Sequence, residues 1–346
     1  MATYINAHSV QINTAMFTNN QAIVNVDCNN VAWANNSMYN SFKNCTNLTS
    51  ISGLANSITN MTYTFMSCTN LQNLPNIPNN VVSLQGTFQS CSKITKANNI
   101  TIPNSVTSVF AMFRYCRNLT STPTLPNSII NAGSLYDGCV SLTTFPQMPE
   151  GVTQMIQTYQ SIQKPTTPPI LPSTVTNLTE TFLNCKITTP AIIPNGATVI
   201  NGIFYKCTNL TTVPEIPNSV KYMAYCFADC LKIKDGPIIP NGVITINTLF
   251  RNCTNLINVS NIPASVTAMY GTFENCTKLT GNIYIHSNQI ASATNCFVAT
   301  SLTKNVYIPF TYENGTNTKT YNTFTAAGYT TTGSQHGVYL KDIGTH

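Results

Sequence analysis

Charge is what this sequence is shortest of. Only 8% of its 346 residues are Asp, Glu, Lys or Arg, against roughly 25% in ordinary soluble domains. The net charge of +6 comes from 16 basic residues opposed by 10 acids. No Lys/Arg run gathers that charge, so nucleic acid is not an expected partner. No apolar run reaches the length of about 18 residues that a membrane helix needs, so no membrane insertion is expected. Histidine is scarce, and His8, His286, His336 and His346 stand at no ligand-like spacing from the cysteines. The acids are scattered, with Glu150, Glu215 and Asp235 in turn-like stretches. No Gly-rich phosphate loop follows a strand, and no Gly-x-Ser-x-Gly elbow occurs. These absences exclude a recognisable catalytic, metal or cofactor site. The opening "MATYINAHSV" has no basic stretch and no apolar core, so no secretory signal peptide is expected. Thiols in such a chain are expected to be reduced.

Asn and Thr supply the polarity instead, and 13 cysteines are present. Ten of them form a row: Cys45, Cys68, Cys91, Cys116, Cys139, Cys185, Cys207, Cys230, Cys253 and Cys276. Most steps are 23 residues, others are 22 and 25, and one is a double step of 46 with Ile162 in the vacant slot. About eleven copies of one unit account for this row, and a fixed period in the range of about 20–50 residues marks a stacked array.

Each copy repeats the same slots. An aromatic precedes the cysteine by three residues: Phe42, Phe65, Phe88, Phe113, Tyr136, Tyr159, Phe182, Phe204, Phe227, Phe250 and Phe273. A Leu or Ile follows it, as in Leu48, Leu71, Ile94, Leu119 and Leu256. An Ile-Pro-like pair comes next, with Pro78, Pro103, Pro126, Pro149, Pro172, Pro194, Pro217, Pro240 and Pro263. One unit cannot bury these side chains alone, but stacked copies can, Phe over Phe and Cys over Cys. The cysteines therefore read as a buried structural ladder, since a free Cys behaves as a small apolar residue. Ile162 supports packing over chemistry, because Ile neither ligates metal nor forms a disulfide. Cys226 and Cys230 are four apart with no second pair, which argues against zinc.

The expected fold is a repeat solenoid, leucine-rich-repeat-like, of about eleven 23-residue units plus caps. Short parallel strands of three to five residues should end at the prolines, which cannot donate to a central ladder. Turns or short helices should carry the Phe-x-x-Cys segment. Residues 1–41 lack the motif and read as an N-terminal cap or attachment segment. Residues 42–309 form the array and residues 310–346 a C-terminal cap, with a short helix over Thr320–Ala327 stopped by Gly328 and a closing strand over Val338–Lys341.

The pattern "IPNSVT…MF..C.NL" at 102–119 resembles the BspA-type leucine-rich repeats of bacterial surface proteins. The resemblance covers about residues 42–309. It departs in an extra proline slot, as in Val213-Pro214-Glu215-Ile216-Pro217, and in the residue before Phe. It implies recognition through a broad face, not catalysis, as in adhesins or phage-encoded structural proteins. Tyr63, Tyr115, Tyr205, Tyr222, Tyr225 and Tyr270 fall at non-core slots and are the candidate ligand contacts. The first functional expectation is a noncatalytic structural or receptor-binding protein on a virion, outside the cell. Its expected partners are virion proteins and a host glycan or surface protein, and a homo-oligomer is compatible with it. A bacterial cell-surface adhesin is the alternative. An ice-binding protein is a third reading, for which "LTST", "LTTF" and "LTTV" hint at Thr ranks.

Overall fold

The computed structural model describes residues 11–29, 31–300, 306–308, 319–327, 330–332 and 339–341. It divides into two compact units, Met1–Pro165 and Thr166–His346. Each is a stack of repeats.

In the first unit the aromatic slot forms a column: Phe17, Phe42, Phe65, Phe88, Phe113 and Tyr136 stack at centroid separations of 5.3–6.1 Å. In the second unit Phe182, Phe204, Phe227, Phe250, Phe273 and Phe297 stack at 5.4–5.9 Å. From Phe42 onward the Phe, Cys and Leu/Ile columns are buried, and Phe17 at the start of the first column is half-buried.

The backbone explains why Phe-x-x-Cys recurs. In the first unit the N–H groups of Met38, Asn40, Phe42 and Asn44 donate to the carbonyls of Asn60, Thr62, Thr64 and Met66 in the next repeat, at 2.7–3.2 Å. The intervening Ser41, Lys43 and Cys45 donate to the carbonyls three residues back, at 3.0–3.1 Å. Ile200, Gly202, Phe204 and Lys206 in the second unit repeat the first pattern with Tyr222, Ala224, Cys226 and Ala228. Alternate donors thus point along the stack, so no α-helix forms here. The segment is a run of turns with two left-handed residues per repeat, such as Tyr63 (φ 54°) and Ser67 (φ 61°), or Tyr225 (φ 59°) and Asp229 (φ 57°). Each left-handed non-glycine residue costs about 1–2 kcal/mol, offset by the cross-repeat bonds its neighbours make.

The parallel strands reach at most three residues, the lower end of the three to five expected, and most are shorter. β1 (Gln11–Ile12) pairs in parallel with β3 (Ala32–Trp33), and β2 (Asn25–Asp27) with β4 (Ser50–Ser52). β5 (Ile283–Tyr284) pairs with β6 (Val306–Tyr307). Elsewhere the ladder shrinks to single parallel bridges, Ser37–Asn60–Ser83–Ser108–Asn131–Gln154 in the first unit and Asn177–Val199–Tyr222–Thr245–Ala268–Ser292 in the second. The prolines remove donors, and the turn after each keeps the chain from staying extended: Val81 N donates back to Pro78 O at 3.1 Å and Val220 N to Pro217 O at 3.1 Å.

The described part of 1–41 is itself a stacked turn, though it lacks the motif. Phe17 takes the aromatic slot, and Ala15, Phe17 and Asn19 donate to Tyr39, Ser41 and Lys43. Helix α1 (Lys319–Ala326) lies where a short helix is expected. It docks on the second unit through Phe324, stacked 6.3 Å from Phe297, and through Thr320, whose hydroxyl donates to Ser287 O and accepts from Ile290 N. β7 (Thr330–Thr332) pairs antiparallel with β8 (Tyr339–Lys341), where the closing strand is expected. Gly328 and Val338 lie outside the described residues.

Candidate functional site

The thirteen cysteines are free and buried. The ladder does more than fill space. The thiol of Cys68 donates to Phe42 O at 3.0 Å, Cys91 to Phe65 O at 3.0 Å, and Cys116 to Phe88 O at 3.0 Å. Cys139, Cys207, Cys230, Cys253 and Cys276 do the same toward the aromatic one repeat back, and Cys45 toward Phe17. Each such carbonyl also accepts the N–H of the residue three on, its own repeat's cysteine as at Phe42 O from Cys45 N at 3.0 Å, or Asn20 at Phe17 O. Both lone pairs of a buried carbonyl are thus used. Ile162 supplies the bulk but no donor. Cys185 makes a longer contact, 3.9 Å to Leu183 O.

Cys226 is no partner for Cys230. It sits where other repeats carry Thr, and its thiol donates to Ile200 O at 2.9 Å. Thr64, Thr87 and Thr272 make the equivalent bond to Met38, Met61 and Ile246. Among the described residues, no group of three or more His, Cys, Asp or Glu side chains could hold a metal, and no helix is long and apolar enough to cross a membrane. Burial pushes the thiols of Cys116, Cys207 and Cys276 from 9.0 to about 12, so they are poor nucleophiles at neutral pH.

The Thr ranks of "LTST" and "LTTV" are engaged along the stack: Thr120 Oγ1 donates to Thr95 O at 2.8 Å and Thr211 Oγ1 to Thr188 O at 3.0 Å, each one repeat before. An ice-binding plane is therefore not supported.

The tyrosines divide into two groups. In the first unit Tyr63 and Tyr115 are half-buried and lie on glycines 23 residues further on. A Cβ added at Gly86 would stand 2.3 Å from the Tyr63 ring, and one at Gly138 would stand 2.4 Å from that of Tyr115. The Tyr63 hydroxyl accepts from Gln85 Nε2 at 2.7 Å, and Tyr39 meets the Tyr63 ring edge-on at 6.5 Å. Arg114 lies 4.7 Å over the Tyr115 ring and donates to its hydroxyl, while its Nε donates to the buried Asp137 at 2.8 Å. Burial raises the Asp137 carboxyl against the pull of Arg114.

That packing gives a direct test. Gly86 is left-handed (φ +57°). Gly86→Ala should cost about 1–2 kcal/mol for the backbone alone, plus displacement of the ring. Tyr63→Ser in the same chain should recover the ring component and leave the backbone component. Urea unfolding of the single and double variants measures both, and an unchanged midpoint in Gly86→Ala would refute the packing.

In the second unit the tyrosines reach solvent. Tyr222, Tyr225 and Tyr270 are 41%, 46% and 41% exposed. Tyr222 stands in the bridge column between Val199 and Thr245. Tyr225 is fixed by its N–H to Asn247 O at 3.0 Å, and its ring lies 6.5 Å from the half-buried Tyr205, under which Lys206 adds a cation at 5.0 Å. Tyr270 N donates to Asn247 Oδ1 at 2.8 Å. Tyr39, 42% exposed, is a further surface aromatic, and its place ahead of the first full motif gives it no slot in the repeat pattern.

The stack of short parallel bridges, buried Leu and Phe columns and variable outer positions defines a leucine-rich repeat protein. The chain belongs to the BspA type leucine rich repeat family, which it matches over residues 2–109, 38–161, 85–211, 175–303 and 221–325. Repeat proteins of this class are in general binding scaffolds. Among solved structures it is similar to a leucine-rich repeat protein from Eubacterium ventriosum, at 17% identity and a TM-score of 0.50, covering 85% of this chain and 87% of that one. It is also similar to a leucine-rich repeat protein from Bacteroides ovatus (20% identity, 80% and 82% covered, TM-score 0.49). A leucine rich cell surface protein from Faecalibacterium prausnitzii is a further similar structure (23% identity, 79% and 82% covered, TM-score 0.48). No curated protein sequence matches the chain.

Proposed function

We propose that this chain is a noncatalytic recognition protein displayed outside the cell, as a bacterial surface adhesin. The carrying observation is the set of exposed tyrosines in the second unit, Tyr222, Tyr225 and Tyr270, on repeats whose Phe and Cys columns are buried. Rigid aromatic side chains with a polar tip suit contact with a glycan or a protein surface. The membership of the BspA-type family supports the reading. A place on a phage particle, the first expectation from the sequence, draws nothing from these similarities, which are to bacterial repeat proteins.

The test is binding of the purified chain to a glycan array and to intact host cells. Tyr222→Ala with Tyr225→Ala should reduce binding about tenfold or more while the urea midpoint shifts little, since both rings reach solvent. Binding unchanged in the double variant would sink the assignment to this face. Detection of the chain in purified virions, and not on bacterial surfaces, would replace the adhesin by the virion protein.

A further inference from the structure

The residue two places before the second proline of each repeat faces solvent. These positions are structurally equivalent. In every case the residue three after that proline donates its N–H to the proline carbonyl, from Val81 to Pro78 through Val266 to Pro263, at 3.0–3.3 Å. The solvent slot is polar in the first unit, with Asn76, Thr101, Thr124 and Gln147, and again at Asn261. In the second unit it reads Ile170, Ile192, Glu215 and Ile238. The three isoleucines are 84%, 86% and 80% exposed, well above every other large apolar side chain described. Between the first two lies a depression of about 490 Å³, lined chiefly by Pro168, Pro169, Ile170, Pro190, Ala191 and Ile192.

The slot tolerates polar residues elsewhere in the same chain, so folding does not demand isoleucine here. Exposed aliphatic rows of this kind mark interaction sites. Charge decides what can cover this one. Any pairing of two copies that covers all three isoleucines sets Glu215 against an isoleucine or against a second Glu215. That buries a carboxylate without a partner, which is costly. The occupant must be apolar at three rungs and basic at the third of the four.

Spacing decides its shape. Bridged repeats rise about 4.8 Å each, so the four rungs lie near 0, 5, 10 and 14 Å. A helix rises about 1.5 Å per residue, which places positions i, i+3, i+7 and i+10 at about 0, 4.5, 10.5 and 15 Å. An extended strand, at about 6.6 Å for each second residue, drifts out of register by the fourth rung.

We propose that the edge formed by Ile170, Ile192, Glu215 and Ile238 docks an amphipathic helix of a partner protein, apolar at i, i+3 and i+10 with Lys or Arg at i+7. The isoleucines take the apolar side chains, one of which enters the depression, and Glu215 pairs with the cation. The surface is separate from the exposed tyrosines invoked for recognition and does not rest on that assignment.

Two labelled synthetic helical peptides test it by fluorescence anisotropy: one with Leu at i, i+3 and i+10 and Lys at i+7, the other with Glu in place of that Lys. The wild-type chain should bind the Lys peptide about tenfold more tightly than the Glu peptide. Ile192→Asn with Ile238→Asn should lose about tenfold or more, with an unchanged urea midpoint because Asn occupies the slot naturally. Glu215→Lys, at an exposed site, should reverse the preference between peptides. Absence of binding to both peptides, or a preference that Glu215→Lys leaves intact, overturns the proposal. A concentration-dependent dimer in sedimentation that Ile192→Asn with Ile238→Asn abolishes overturns it in favour of self-association. Phosphatidylcholine vesicle binding abolished by the same variant overturns it in favour of a lipid surface.

Discussion

Stability should fall steeply once the pH passes about 9. The row of thiols is the cause. Burial holds Cys28, Cys116, Cys207 and Cys276 up at about 12, from an ordinary value of 9.0, and pushes Cys91, Cys139, Cys230 and Cys253 upward in the same direction. A group whose pKa is raised by folding contributes its full stability below the unfolded pKa. It loses that stability as pH rises from the unfolded value toward the folded one, because only the unfolded chain gives up the proton. Each thiol then removes about 1.4 kcal/mol per pH unit. Ionising a thiol inside the fold would also leave a thiolate about 3 Å from the carbonyl it had donated to, as at Cys230 and Phe204 O. With many such thiols acting together, a folding free energy of about 5–15 kcal/mol should be exhausted within about one to two pH units above 9. Urea unfolding from pH 8 to 10.5 measures the slope. Cys230→Val with Cys253→Val should flatten it by about 3 kcal/mol per pH unit. A midpoint level to pH 10 would mean that the thiols are not held protonated by burial.

Phe227→Ala should cost about 3–5 kcal/mol. The ring is fully buried in the second unit and stacked 5.8 Å from both Phe204 and Phe250. Its removal leaves a gap that neighbouring rings cannot close, because each is fixed by cross-repeat bonds. Phe227 N donates to Leu249 O at 3.0 Å and Phe204 N to Cys226 O at 3.0 Å. Amide exchange at these two positions should therefore quicken along with the drop in urea midpoint. Repeats contact chiefly their neighbours, so protection near Phe297 should change less than protection near Phe204. A loss below about 1 kcal/mol would show that the column is not the core of the unit.

The period alone carried much of this. A cysteine every 23 residues or so, with Phe three before it and Leu three after, requires equivalent side chains to stack, since no single unit can bury them. The buried columns, the parallel relation of successive repeats and the family follow from that recurrence. The short helix near residue 320 was also legible, from a run of residues without Pro or Gly.

The tertiary structure decided what recurrence leaves open. The left-handed turns at Tyr63 and Ser67 could not be read, because they depend on N–H groups pointing to the next repeat rather than back along their own. The thiol's second role, as a donor to the aromatic carbonyl one repeat back, appears only when the two are brought to 3.0 Å. The fate of each tyrosine depends on the residue 23 positions on: glycine at 86 and 138 lets Tyr63 and Tyr115 lie down, whereas Thr248 holds that place for Tyr225, whose ring meets Tyr205 instead and is 46% exposed. Ile170, Ile192 and Ile238 sit beside buried isoleucines and leucines in an apolar stretch, and hydropathy alone assigns them to the core. Only the turn that buries Leu171, Ile193 and Ile239 sends the preceding side chain outward, because neighbours in an extended segment face opposite ways.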